Sequence, residues 1–226
     1  MNRRSTHRRA LTALVTLALT LGLATAAAVA ASPSHTTSAT PLVGTFKLVP
    51  GSYGAGGPSG SYFRMIYPGG SVAKGKFFSN PDSPLANKTY TPVKPGSDGG
   101  LVTGKYQPSP SPAFDAKGDA RARRITVPAP FAQIAFGLAT LATDPTTGKT
   151  LPAPSISVTG AKLSGQVSAL YAEWNKLYFN QGSSAVTGTY NASTGAFTLT
   201  WSSKISGGPF NHFTGYWHLA GTVKRS

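Results

Sequence analysis

The sequence predicts a mostly β fold: a single antiparallel β-sandwich or an up-and-down β-barrel, preceded by a signal peptide and a short disordered spacer. Three observations predict it. Short runs alternate apolar and polar residues with a period of two, the pattern of a half-buried strand. Glycine (26) and proline (18) punctuate those runs along the 226 residues. A phrase of a bulky residue, Thr and Gly also recurs, in Val102-Thr103-Gly104, Val158-Thr159-Gly160, Val186-Thr187-Gly188 and Phe213-Thr214-Gly215. Glycine inside a strand lets a sheet bend, or lets a neighbouring ring lie over it.

The N-terminus reads as an export signal. Arg3, Arg4, Arg8 and Arg9 form a basic region, an apolar run follows from Ala10, and Ala28-Val29-Ala30 supplies a small-residue cleavage site. Arg8-Arg9-Ala10-Leu11 also resembles a twin-arginine signal, which leaves the export route open. Residues 1–30 are thus expected to be a signal peptide and 31–40 a polar spacer. Residues 41–226 are expected to form one β-rich domain, secreted or associated with the cell wall, with no transmembrane segment in the mature chain. The chain has no cysteine. A domain of this length can bury a sufficient core without disulfide staples.

The elements follow in order. Leu42, Phe46 and Leu48 alternate with polar positions and predict a first strand. Residues 50–60, rich in Gly, Ser and Pro, predict a loop. Tyr62 to Tyr67 predict a strand closed by Pro68-Gly69-Gly70, and Val72 to Phe78 a weaker one. Pro108-Ser109-Pro110-Ser111-Pro112 predicts an extended surface loop, because proline cannot donate to a ladder. Arg124 to Val127 and Gln133 to Ala142 predict strands, the second leading into a hairpin turn at Asp144-Pro145-Thr146-Thr147-Gly148. Leu163 to Trp174 alternates as one strand, and Asn175-Lys176 turns it into Leu177-Tyr178-Phe179. Val186 to Tyr190 and Ala196 to Trp201 form a hairpin pattern. A last strand, Phe213 to Val223, places Trp217 and Leu219 on one face and His212, Tyr216 and His218 on the other.

Over residues 158–223 this arrangement resembles small exported barrels of the avidin or lipocalin kind. No motif carries over a ligand or a binding residue. The resemblance implies a barrel architecture that holds a small ligand as one alternative.

The charge balance points to partners. Twenty-one basic residues face six acidic ones, a net charge of +15. Such an excess attracts polyanions, which outside a cell include anionic cell-wall polymers. Lys117 to Arg124 is the one dense basic run and reads as a solvated loop. No helix-turn-helix, RNP-type or Cys/His pattern suggests a sequence-specific nucleic-acid reader.

The catalytic inventory is thin. There is no G-x-S-x-G elbow, no phosphate-binding loop and no His-x3-His zinc spacing. No cofactor and no metal ligand are expected. Five of the six acids sit among turn residues; Glu173 alone lies in a strand, beside Tyr171 and Trp174. A glycosidase needs two facing carboxyl groups, and no partner for Glu173 stands out. Aromatics crowd the last third of the chain. Tyr171, Glu173, Trp174, Trp201, His212, Tyr216, Trp217 and His218 are therefore the candidate ligand-binding set. The expected function is a non-enzymatic, basic, β-rich protein that binds or builds the cell envelope. A small-ligand barrel and an extracellular hydrolase are the alternatives.

Overall fold

The computed structural model describes residues 38–226; the expected signal peptide and most of the expected spacer lie outside the described residues. Strands β1 (Thr40–Pro41), β2 (Gly44–Leu48), β3 (Ser52–Gly54), β4 (Gly57–Ser59), β5 (Tyr62–Ser71), β6 (Gly75–Phe77), β7 (Thr91–Pro92) and β8 (Gly100–Val102) build the N-terminal half. Strands β9 (Ala129–Phe131), β10 (Ile134–Thr140), β11 (Ser155–Thr159), β12 (Lys162–Gln166), β13 (Leu170–Trp174) and β14 (Leu177–Asn180) follow. The chain ends with β15 (Val186–Tyr190), β16 (Ala196–Lys204) and β17 (Thr214–Arg225). A single 3₁₀ turn, Gly208–Phe210, is the one helical element among the described residues.

The fold is almost entirely β, and its large antiparallel sheet curls into a half-barrel. That sheet has eleven strands, with the order β1-β11-β12-β15-β16-β17-β2-β8 and a branch from β17 to β5, β6 and β7. β17 is its spine. Along one side it pairs with β16 from Thr214 to Thr222. Along the other it pairs first with β5 (Thr214–His218) and then with β2 (Gly221–Arg225). A second sheet, β14-β13-β10-β9, supplies the opposite wall, and β3-β4 forms a separate two-stranded hairpin.

The alternation read from the sequence sets which side faces in. Gly215, Trp217 and Leu219 of β17 are buried, while Thr214, Tyr216 and His218 are only half-buried. On the second sheet Leu170, Ala172 and Trp174 join one continuous apolar cluster with Phe63, Phe136, Phe179, Trp201 and Trp217. Gly215 shows why the recurring glycine is needed at that position. A Cβ there would lie 2.6 Å from Gln181 Oε1 and 3.1 Å from the Phe63 ring. Gly160 serves a different end: it turns β11 into β12 with φ of 61°.

Five expectations need correction. Residues 50–60 are not simply a loop, since β3 and β4 pair there as a hairpin. Pro68-Gly69-Gly70 does not close the strand from Tyr62, since β5 runs on to Ser71. The run Leu163–Trp174 is two strands, not one. β12 belongs to the large sheet and β13 to the small one, and the chain crosses between them at a turn around residues 168–169. Alternation continues through the turn, so the period alone hides the break. The run 124–127 is not a strand; it makes one isolated bridge, Pro95 with Thr126, and its Arg124 faces solvent. His212 is not on the last strand. It sits in the preceding turn with φ of 69° and is exposed, so it does not share a face with His218.

Two other features match the sequence reading closely. Asn175 and Lys176 both have positive φ (48° and 62°), the type I′ geometry that a two-residue hairpin turn between β13 and β14 demands. The hairpin β15–β16 pairs Tyr190 with Phe197 across the Asn191–Gly195 turn.

Candidate functional site

The indole N–H of each tryptophan is satisfied inside the protein. Trp174 donates to the Phe131 carbonyl at 2.8 Å, Trp201 to the Gln181 carbonyl at 2.6 Å, and Trp217 to Gln181 Oε1 at 3.0 Å. Gln181 is thus a buried polar hub, and its Oε1 also accepts from Ser203 at 3.0 Å. Trp201 and Trp217 lie nearly parallel, 5.9 Å between centroids. The space left among Phe63, Phe136, Trp174 and Trp217 is about 30 Å³. That is far below the roughly 300–1,000 Å³ of a small-molecule pocket. The interior is filled by its own aromatics, and Trp174, Trp201 and Trp217 are core residues. The barrel-ligand reading, which needs room among these rings, loses its footing there.

The outward face of the same sheet is different. Pairing of β5 with β17 sets Tyr62 opposite His218 and Arg64 opposite Tyr216. Tyr62 and His218 stack at 4.9 Å with 14° between planes. Tyr90, from the loop before β7, meets Tyr62 edge-on at 5.1 Å and Tyr53 at 5.4 Å. Arg64 lies among these rings. Its guanidinium carbon is 3.1 Å from the Phe77 centroid and 4.1 Å from that of Tyr90, so rings cover both of its faces.

The edge of that guanidinium is under-used. Nη2 donates to Thr89 Oγ1 at 3.1 Å, while Nε is buried without a partner. The single ion pair among the described residues joins Arg124 to Asp98, so Arg64 carries a half-buried charge with no acid beside it. Burial lowers its pKa, against the neighbouring tyrosines, which raise it. Burial also pushes the Tyr62 hydroxyl up to about 12, with Tyr216 and Tyr90 adding to the effect. It holds His218 below the ordinary imidazole range.

A row of hydroxyl groups runs from this cluster across the strands. Cross-strand partners connect Tyr62, His218, Thr200, Thr187, Ser164 and Ser157 in succession. At about 4.8 Å per strand the row spans roughly 24 Å. A parallel row contains Thr198 and Thr189, whose hydroxyls bond at 2.7 Å. Small hydroxyls on one side and rings around a cation on the other make a polar platform on the outer face of the curled sheet.

The remaining candidates, Tyr171 and Glu173, face away from the core on the second sheet. The segment 107–122 roofs that face. Ser109 donates to Glu173 Oε1, Asn175 N–H reaches the Gly118 carbonyl at 3.0 Å, and Phe114 packs on Tyr178 at 5.4 Å. Glu173 is 0% exposed, and its Oε2 has no partner; the buried Tyr171 hydroxyl has none either. Burial raises the pKa of Glu173, opposed by the Ser109 hydrogen bond. On the other side of the same roof, Arg121, Arg123 and Arg124 border a hollow of about 520 Å³ with Pro108, Ser109 and Pro110.

The structure therefore divides the eight candidates. Three tryptophans are core, Tyr216 and His218 belong to the outer platform, Tyr171 and Glu173 lie under the roof, and His212 stands apart in a turn. Sequence reasoning missed Arg64, Tyr53, Tyr90 and Phe77. Tyr62 and Arg64 do share a face in the period-two pattern of β5, but nothing local announces that β5 pairs with β17. Among the described residues no three His, Asp or Glu side chains gather as a metal site, and no helix is long and apolar enough to cross a membrane. Compared with known proteins, the chain matches no family model, no curated protein and no solved structure.

Proposed function

We propose that this protein is a secreted, non-enzymatic binding protein for an anionic polymer of the cell envelope, of acidic polysaccharide character. The observation that carries the reading is the Arg64 guanidinium. It is held rigid between Phe77 and Tyr90, lacks an acidic partner, and sits at the end of a hydroxyl row. A desolvated cation without a counter-ion favours an incoming carboxylate, phosphate or sulfate. Tyr53 and Tyr90, both half-buried, offer ring surface beside it, and Ser/Thr hydroxyls offer donors and acceptors along an extended chain. The excess of basic residues supplies attraction at longer range, and the arginine-rich leader is consistent with delivery outside the cell.

The test is retention of the mature protein on acidic and neutral polysaccharide matrices as salt is raised. Retention should be strong on the acidic matrix and fall with salt. Arg64→Ala should weaken it by about tenfold or more, since hydrogen bonds to charged groups are worth about 1.5–3 kcal/mol. Arg64→Lys should recover only part, because an ammonium cannot lie flat between two rings. Equal retention of wild type and Arg64→Ala would remove the platform from the account. Equal retention on both matrices would remove the anionic ligand.

A further inference from the structure

Gly137 of β10 pairs with Glu173 and faces the roof. A Cβ at Gly137 would lie 3.0 Å from the Cβ atoms of Ala120 and Ala122 and 2.7 Å from the Ala122 carbonyl oxygen. Without that atom, residues 120–122 settle directly onto β10. Ala120 and Ala122 are buried there, and Arg121 and Arg123 between and beyond them are exposed. The dense basic run is therefore not the solvated loop that its composition suggests. Its backbone is tied on both flanks. Arg121 N–H donates to the Ala113 carbonyl at 2.8 Å, and the Arg123 and Arg124 carbonyls accept from Ser97 and Asp98 N–H at 2.9 and 3.0 Å.

The three arginines border a hollow of about 520 Å³ whose other walls are Pro108, Ser109 and Pro110. No acid lines it. Asp98 is engaged by Arg124 at 2.9 Å and by Gln107 at 3.0 Å, and Asp119 accepts from Ala135 N–H at 2.6 Å. Arg121 and Arg123 form no ion pair among the described residues. The Ser109 hydroxyl is committed to Glu173, so the donors left to the hollow are guanidinium N–H groups. Alternation puts Arg121 and Arg123 on one side, about 7 Å apart along an extended backbone. Two planar forks at that spacing can close on one anion together. A carboxylate has two oxygens and is satisfied by a single fork, whereas a phosphate ester has acceptors for both. The volume falls within the roughly 300–1,000 Å³ of small-molecule sites, which leaves room for the group that carries the phosphate. The exposed rings of Pro108 and Pro110 give that group an apolar wall.

We infer that the arginine-lined hollow is a second binding site, for a phosphate ester held by Arg121 and Arg123 with its organic part against Pro108 and Pro110. The site shares no residue with the Arg64 platform and does not rest on the polymer reading above.

The probe is glycerol phosphate, titrated into the mature protein by calorimetry. Glycerate is the carboxylate arm, and diglycerol phosphate is the arm that mimics a phosphate inside a chain. Glycerol phosphate should bind at least tenfold more tightly than glycerate. Either result with the diester supports the site: equal or tighter binding places the natural phosphate within a chain, weaker binding places it at an end. The paired change Arg121→Ser with Arg123→Ser touches only exposed side chains and should weaken binding about tenfold or more, since hydrogen bonds between charged groups are the strong ones. Arg121→Lys with Arg123→Lys keeps the charge but not the forks, and should lose the preference for phosphate over glycerate. Lys74→Ser with Lys149→Ser removes the same charge from exposed positions outside the hollow, and should change the affinity less than about twofold. Thermal melts confirm that each variant is folded. Equal binding of glycerol phosphate and glycerate would overturn the inference, as would unchanged affinity in the serine pair at 121 and 123. An equal loss in the Lys74 and Lys149 pair would also overturn it, by reducing the hollow to a share of the general positive field.

Discussion

Strands β17 and β13 are built alike and end up in opposite electrostatic situations. Each alternates a core-facing tryptophan, Trp217 or Trp174, with polar residues on the other side. The polar side of β17 remains partly open. There the uncompensated charge of Arg64 is half-buried between rings, and solvent still reaches the neighbourhood. The polar side of β13 is roofed by residues 107–122, and Glu173 beneath it is 0% exposed. An unpaired charge on an open face stays ionised and available for exchange. The same charge under a roof shifts toward its neutral form, because desolvation penalises ionisation. A pattern of alternation decides which residues face outward; the covering loops decide what outward means.

The sharpest way to break the comparison is to remove a residue from each side of β17. Trp217 is 0% exposed and packs on Phe63 at 4.6 Å and on Trp201. Trp217→Ala should cost about 3–5 kcal/mol, the range for a large aromatic lost from a core. It also leaves Gln181 Oε1 without its indole donor. Tyr216→Ala, one residue away on the half-buried face, should cost only about 1 kcal/mol. Urea unfolding of both variants measures the difference. Similar losses would mean that the platform is part of the stabilising core and not a free surface.

Much of this division is legible in the sequence, and the parts that are not share a cause. The odd-even pattern of β17 and the Asn175-Lys176 turn follow from local chemistry, since period two and positive φ leave marks on neighbouring residues. The hairpin β15–β16 is legible for the same reason. The change of sheet between Gln166 and Leu170 is not, because Val167 and Ala169 keep the alternation while the backbone turns. Nor is the joining of Arg64 to Tyr216, which brings together residues some 150 positions apart through a strand pairing that no short motif encodes. Glu173 was singled out as the one acid in a strand. Its burial depends on Ser109, 64 residues earlier, in a segment that reads as a solvent-exposed proline loop.

The roofed side can be tested through its acid. The carboxyl of Glu173 titrates above its ordinary value because burial disfavours the charge. The folded state therefore holds its proton more tightly than the unfolded state does. The stability this contributes is fully present below the unfolded value near 4.5 and is lost as pH rises through the folded value. Glu173→Gln, which cannot ionise, should be more stable than wild type above that window, with the gap narrowing as pH falls toward 4. Chemical denaturation across this range is the measurement. A gap independent of pH would show that the carboxyl is not desolvated by its roof.

His218, on the open platform, gives the smallest effect and the opposite sign. Its imidazole titrates below the ordinary value near 6.5 because burial against Tyr62 disfavours the cation. The unfolded chain then takes up the proton first. Stability from this group is complete above about pH 6.5 and declines as pH falls through the lower, folded value. Acidification thus works against His218 while it works for Glu173. In wild type the two act in opposite directions, so a flat profile there is no evidence that either is unperturbed. His218→Gln should expose the Glu173 trend alone, with stability rising as pH is lowered through the Glu173 titration. The double variant His218→Gln with Glu173→Gln should lose both slopes. If His218→Gln keeps the wild-type profile, the imidazole is solvated on both sides of its titration and the stack with Tyr62 contributes nothing to its state.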